Sequence, residues 1–129
     1  MMVQNATPIL LLALLAITFL QSGYDKIKDW KGNVAWLKGH FSGTIFGNQV
    51  PLALFVILVM EIVSGVFSVA GIIELLTKTE STIGFYGAVL SCKTLLMLLF
   101  GQRIAKDYDG ARTIVIYFIP AVLAVFLLS

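Results

Sequence analysis

Four long apolar runs, separated by short polar segments, make up most of the chain. Each run has enough residues to cross roughly 30 Å of hydrocarbon at about 1.5 Å per helical residue. The pattern predicts an all-α membrane protein, a bundle of four transmembrane helices. Because the leader before Pro8 carries no basic residue, we interpret the first run as a retained helix rather than a cleaved signal peptide. The predicted helices cover residues 8–26, 51–76, 82–104 and 112–128.

The polar segment at residues 27–50 has two interpretations. Asn33 is a good N-cap, and apolar residues recur after it at spacings of three and four, which predicts a helix lying at the membrane surface. Glycines interrupt the same stretch and favour an irregular loop over the mouth of the bundle equally well. The apolar stripe consists of Trp30, Val34, Leu37, Phe41 and Ile45.

The composition agrees with a membrane protein. The chain has 129 residues, of which 59% are hydrophobic and only 12% charged, and its mean hydropathy is +0.96. Four crossings use up nearly all of this length, so we predict a single transmembrane domain over residues 1–129. A net charge of +2 is too small to indicate a nucleic-acid partner.

One cysteine and one histidine exclude several kinds of site within a single chain. A disulfide needs two thiols, a zinc site of nitrogen and sulfur ligands usually needs three or four side chains, and a bis-histidine haem needs two imidazoles. We therefore expect no metal site and no intrinsic cofactor. Cys92 is interpreted as a small apolar filler, and His40 as an interfacial loop residue.

Basic residues in the connections and at the adjoining helix ends lie mainly in two places. The first holds Lys26, Lys28, Lys31 and Lys38, and the third holds Arg103, Lys106 and Arg112, whereas the opposite side has only Lys78. Because positive residues favour cytoplasmic loops, this bias predicts that both termini lie outside.

Small residues recur four apart in the second and third predicted helices. Ser64 and Ser68 form one such pair, with Gly65 and Gly71 close by. Similar pairs in the third helix are Gly84 with Ala88 and Gly87 with Ser91. Such spacing lets two backbones approach closely in lipid, so we expect these faces to be buried in the bundle.

Two charges interrupt the apolar runs, Glu61 in the second helix and Lys93 in the third. Each lies ten residues, about 15 Å, from the end of its helix on the predicted cytoplasmic side. Helices joined by a short turn are usually antiparallel neighbours, so the two charges are at the same depth. We therefore predict an intramembrane ion pair, with Gln21, Ser64 and Ser91 as hydrogen-bonding neighbours. Such a pair either fixes the packing of the helices or lines a polar pocket.

Two segments, FLQSGYDKI and PLALFVILVMEIVSGVFSVAG, resemble the DoxX and DoxX-like family of small four-helix membrane proteins. The matching residues are Ser22, Gly23 and Lys26, followed by Pro51, Glu61, Gly65 and Gly71. The arginine that often begins the first helix of that family is absent here. The resemblance implies a bacterial inner-membrane protein that works beside redox partners, with Lys26 and Glu61 as its functional positions.

Two functions are compatible with these observations. In the first, the chain is a membrane subunit of a quinone-linked redox system, not catalytic alone, with a polar site around Glu61. In the second, it is a structural or accessory subunit of a larger assembly or transporter. The expected partners are the lipid bilayer and membrane or periplasmic proteins or further copies of the chain, with no nucleic acid. Quinone is the one cofactor expected, and only in the first function.

Overall fold

The computed structural model describes residues 2–40, 50–78, 81–104 and 106–129, with the side chains of residues 2–5, 40 and 50 left out. These ranges are helical and contain no strand, which confirms the predicted all-α architecture for the described part of the chain. The helices are α1 (Met2–Lys28), α2 (Trp30–His40), α3 (Val50–Thr77), α4 (Thr82–Ile104) and α5 (Tyr108–Leu128).

Four of these helices are long and apolar enough to cross a membrane. Large apolar side chains point outward from them, for example Leu10, Ile119 and Phe126, which are each about two thirds exposed or more. Such exposure is unfavourable in water and normal in lipid, so the structure supports a multi-pass membrane protein. The candidate spans are Ala6–Lys28, Pro51–Thr77, Thr82–Ile104 and Tyr108–Leu128.

The helices pack in the order α1, α3, α4, α5, each mainly against its neighbours in that order. α3 lies between α1 and α4, while α1 and α5 meet over a smaller area. Leucines and alanines, with one phenylalanine, fill the space between the helices. The buried core comprises Leu12, Leu15, Phe19, Leu75, Ala88, Leu95, Ala121 and Ala124.

Small residues bring α3 and α4 into backbone contact, as their spacing predicts. A Cβ atom at Gly71 would collide with the backbone of Gly84, and one at Gly87 would lie 3.0 Å from the backbone of Phe67 and Ser68. In lipid no hydrophobic force drives two helices together, so close van der Waals contact of this kind stabilises their pairing. The predicted burial of these two faces is confirmed.

The ends of two helices differ from the prediction. α1 begins at Met2 rather than Pro8, so the proline lies inside the helix. The last helix begins at Tyr108 rather than at residue 112, after Lys106 reverses the chain in the left-handed conformation, with φ of 60°. Asp107 then caps α5, since its Oδ1 accepts a hydrogen bond of 3.0 Å from Gly110 N. Residues 107–110 thus form the start of a helix.

The described part of the segment after α1, up to residue 40, is helical, in agreement with one of its two interpretations. α2 starts at Trp30, so Asn33 lies inside it and donates its side-chain amide to the Asp29 carbonyl instead of capping. The backbone N–H of Asn33 also donates to Asp29, so α2 follows α1 almost without a break. Phe41 and Ile45 lie outside the described residues, and the location of α2 at a membrane surface stays a prediction.

Candidate functional site: a buried ion pair between α1 and α3

Glu61 is buried between α1 and α3 and forms an ion pair with Lys26. Its Oε1 lies 2.8 Å from Lys26 Nζ, and only 2% of its side chain is exposed, compared with 18% for the lysine. Lys26 Nζ also donates a hydrogen bond of 2.7 Å to Ser22 Oγ, one helical turn earlier. An isolated buried carboxylate is destabilising by several kcal/mol, and the nearby ammonium offsets much of that penalty.

Glycines allow the two helices to come close enough for this pair. The space beside Gly23 is occupied by side chains of α3, those of Leu58 and Ile62. Leu20 fills the corresponding space beside Gly65. The contacts therefore run in opposite directions along the two chains, which makes α1 and α3 antiparallel. One turn after Gly23, the long lysine side chain then reaches the carboxylate on α3.

The contact between the two charges is electrostatic rather than a well-aligned hydrogen bond. Glu61 Oε1 is buried and has no hydrogen-bond donor among the described residues in suitable geometry, although the lysine nitrogen is near. The ammonium instead directs a hydrogen bond to Ser22. Burial with one weakly directed partner leaves this oxygen able to accept one more hydrogen bond.

The predicted pairing of Glu61 with Lys93 is wrong. Glu61 contacts Lys26 on the other neighbouring helix, and the Lys93 side chain is exposed. The depth estimate was close, because α3 and α4 meet at Gly71 with Gly84 and at Ser64 with Thr94, which places Glu61 within about one helical turn of Lys93. Depth does not determine rotation: successive helical residues point about 100° apart, so a neighbour of an inward-facing residue can face outward. Lys93 lies at the right depth but on the wrong side of α4.

Ser64 and Ser91 are both fully buried, but they do not bind the carboxylate in the described structure. Ser91 Oγ donates to the Gly87 carbonyl at 2.8 Å, and Ser64 Oγ is 3.2 Å from Thr94 Oγ1. Thr94 itself donates to the Leu90 carbonyl, so Ser64 is the donor of the pair. The Ser64–Thr94 contact joins α3 to α4, whereas the hydrogen bond of Ser91 stays within α4, and none of the three hydroxyls bonds to Glu61 in the described structure. Thr94 was missed from the sequence, although it continues the stripe of small residues on α4.

Gln21 lies away from the ion pair, which corrects its predicted place beside Glu61. Its side chain is exposed, and it lines a shallow groove of about 380 Å³ with Leu20, Tyr24 and Asp25. Gln21, Tyr24 and Asp25 are exposed on α1, whereas Leu20 also packs beside Gly65 and Lys26 contacts Glu61 on α3. The described residues of this groove do not include either member of the ion pair. Of the six predicted site residues, the structure therefore brings together Lys26 and Glu61.

Comparison with known proteins adds no assignment: no family model, no curated protein and no solved structure matches the chain.

Proposed function

We propose that the chain is an accessory subunit of a larger assembly in the bacterial inner membrane and is not catalytic by itself. The observation that carries this proposal is the closed contact between Lys26 and Glu61, in which the carboxylate is 2% exposed. A buried charge whose partner lies within the same chain is already compensated. Its first effect is to hold α1 against α3 in one rotation and register.

The physical need for such a device follows from the solvent. In lipid, apolar surfaces gain little by meeting one another, so most rotations of α1 against α3 would be nearly equal in free energy. A charge on each helix removes that degeneracy, because every other rotation exposes an ion to hydrocarbon. The pair thus gives the subunit one defined outer surface for its partners. Under the positive-inside rule this subunit has its first and third connections in the cytoplasm and both termini outside.

A quinone-linked redox subunit is the second candidate, supported by the resemblance to DoxX proteins and by one structural observation. Glu61 Oε1 has no aligned donor, and Lys26 is partly exposed next to it. A quinol hydroxyl could donate to the carboxylate, and the ammonium could donate to a quinone carbonyl. In this function the pair is a headgroup site, and partner chains supply the metal or flavin.

Purification of the tagged full-length chain from its own membranes, in mild detergent, tests both candidates. Partner proteins would be identified by mass spectrometry and bound quinone by extraction and chromatography. For an accessory subunit we expect a co-purifying membrane protein and no stoichiometric quinone. The variants Glu61→Gln and Lys26→Met should then weaken co-purification together with stability.

The same preparation gives results that contradict each candidate. A chain that purifies without any partner, at a size set by the chain and its detergent, overturns the accessory function. Stoichiometric quinone that is lost in Glu61→Gln, while the variant keeps its helical circular dichroism and its partners, replaces the first candidate by the second. Lys106→Met is the matched control, because this exposed lysine lies in the connection before α5.

A further inference from the structure

Lys93 lies at the centre of α4 and is exposed on the outside of the bundle. The helix runs from Thr82 to Ile104, so eleven residues, about 16 Å, separate the lysine from either end. Lysine side chains can bend toward the membrane surface, but a stem of roughly 6 Å covers less than half of that distance. In a free monomer the ammonium would therefore remain within hydrocarbon.

The described part of the chain provides no counter-charge for Lys93. Lys93 makes no ion pair with a described residue. The one carboxylate at similar depth, Glu61, is buried against Lys26. The remaining described carboxylates lie at or near the ends of helices. Outside the described ranges the only carboxylate is Glu80, two positions before α4 begins and thirteen residues from the lysine. A charge this deep without a partner is unfavourable, and such residues usually mark an interaction.

The residues around Lys93 form a continuous exposed face. Tyr86, Lys93 and Phe100 follow one another at intervals of seven, and Leu96 and Met97 lie between the last two. The apolar members are 39–57% exposed. We call these five residues the Lys93 face. It lies opposite the stripe of α4 that packs on α3, and seven-residue spacing is the pattern by which one helix meets another.

A second copy of the chain does not fit this face. A symmetric contact through it would place two Lys93 ammonium groups together at the membrane centre, which is repulsive. An asymmetric contact needs an exposed carboxylate at mid-depth elsewhere on the surface, and Glu61, at 2% exposure, does not provide one. Charge complementarity therefore requires a different chain.

We propose that the Lys93 face binds a transmembrane helix of a different protein, and that this helix carries an aspartate or glutamate near its middle. The proposal rests on the accessory function and specifies the chemistry of the partner. Tyr86 and Phe100 pack along the partner helix, one on either side of the ion pair. Lys93 sets the register and excludes helices that lack an acid at that depth.

Binding to a synthetic helix tests the face directly. The full-length chain, labelled at its N-terminus with a fluorescent donor, is placed in phosphatidylcholine vesicles with an acceptor-labelled peptide of leucine and alanine that carries one central aspartate. We expect at least tenfold stronger association than with the same peptide carrying leucine at that position. Lys93→Leu should abolish the difference, Lys93→Arg should retain it, and the control Lys106→Leu should leave it unchanged.

Two further comparisons test geometry. Phe100→Ala should weaken binding about threefold, whereas Ile116→Ala, at an exposed position of α5, should not. Moving the aspartate two turns along the peptide should remove its advantage. The proposal is overturned if Lys93→Leu binds the aspartate peptide with the same affinity as the unmodified chain does. It is also overturned if Phe100→Ala and Ile116→Ala weaken binding equally.

Co-purification from native membranes distinguishes a wrong assignment of the Lys93 face from a wrong proposed function. Loss of co-purifying proteins in Lys93→Leu, with retention in Lys106→Leu, supports the face if a lost protein has a central acid in a transmembrane segment. If all partners remain bound to Lys93→Leu, the chain is still a subunit but the Lys93 face is not where it binds. If the unmodified chain has no partner, the accessory function fails, whatever the peptide result.

Discussion

The junction of α1 with α3 and the outer face of α4 both carry a charge deep in a transmembrane helix. The two charges differ in their burial and in their pairing. At the junction, Glu61 is buried and lies 2.8 Å from Lys26. On α4, Lys93 points away from the bundle and has no ionic partner among the described residues. Internal compensation indicates a role within the chain, whereas an exposed charge indicates an interaction beyond it. Depth alone therefore does not identify a functional residue; the direction of the side chain must be known.

Removal of the lysine at the junction should have the largest effect. Lys26→Met leaves Glu61 buried without a counter-charge, and we expect the free energy of unfolding to fall by about 3–5 kcal/mol. The double variant Lys26→Met/Glu61→Leu should recover most of that loss, because it removes both ions. Denaturant titration in mixed micelles measures these values. A loss below about 1 kcal/mol in the single variant would show that the pair is not a packing device.

Crowding the contact between α3 and α4 should have the next largest effect. Gly71→Ala places a methyl group against the backbone of Gly84, which cannot move aside as a side chain can, so we expect a loss of about 1–3 kcal/mol in the free energy of unfolding. Gly39→Ala is the matched control, since no described atom beyond its own helical neighbours lies within 4 Å of its added Cβ. If both variants unfolded alike, the helices would not be in backbone contact at Gly71.

The hydroxyl pair between α3 and α4 should have a smaller effect. Ser64→Ala removes the donor to Thr94, and interhelical hydrogen bonds in membranes contribute about 0.6 kcal/mol on average. A double-mutant cycle with Thr94→Val isolates the interaction between the two side chains. Additive losses would mean that the two hydroxyls do not interact, despite the distance of 3.2 Å.

Lys93→Leu should have almost no effect on the isolated chain. Its side chain is exposed, so the free energy of unfolding should change by less than about 0.5 kcal/mol. Membrane insertion of α4 should become easier, because an uncompensated lysine at mid-depth is unfavourable by about 2.5–3.5 kcal/mol on insertion scales. Glycosylation mapping of α4 measures the fraction of this helix that inserts into the membrane. A large loss of stability would place Lys93 inside the bundle and remove the contrast with Lys26.

Helix positions and packing faces were accessible from the sequence because both depend on local features. A run of apolar residues longer than the membrane thickness fixes a crossing, and small residues four apart indicate where two helices touch. The paired burial of Gly71 with Gly84 agrees with this reasoning. The predicted depth of Glu61 relative to the residues of α4 was also close to correct, because helical rise is constant.

The partner of Glu61 was not accessible in the same way, because it depends on rotation and on which helices are neighbours. The stripe of Gly84, Gly87 and Ser91 did indicate the buried side of α4, and Lys93, two positions after Ser91, falls well away from it. The pattern of basic residues places Lys26 in the first connection, although the resemblance to DoxX proteins implies that it is a functional position. The four-residue spacing of Ser22 and Lys26 is the local signal that could have identified their contact.

The order of Lys26 and Glu61 along the chain also matters while the protein is being made. Synthesis proceeds from the N-terminus, so α1 and its lysine enter the bilayer before α3 leaves the ribosome. The acid of α3 therefore meets its counter-ion as soon as it arrives. A partner on α4 would come later, and the carboxylate would first have to wait for it without a counter-ion.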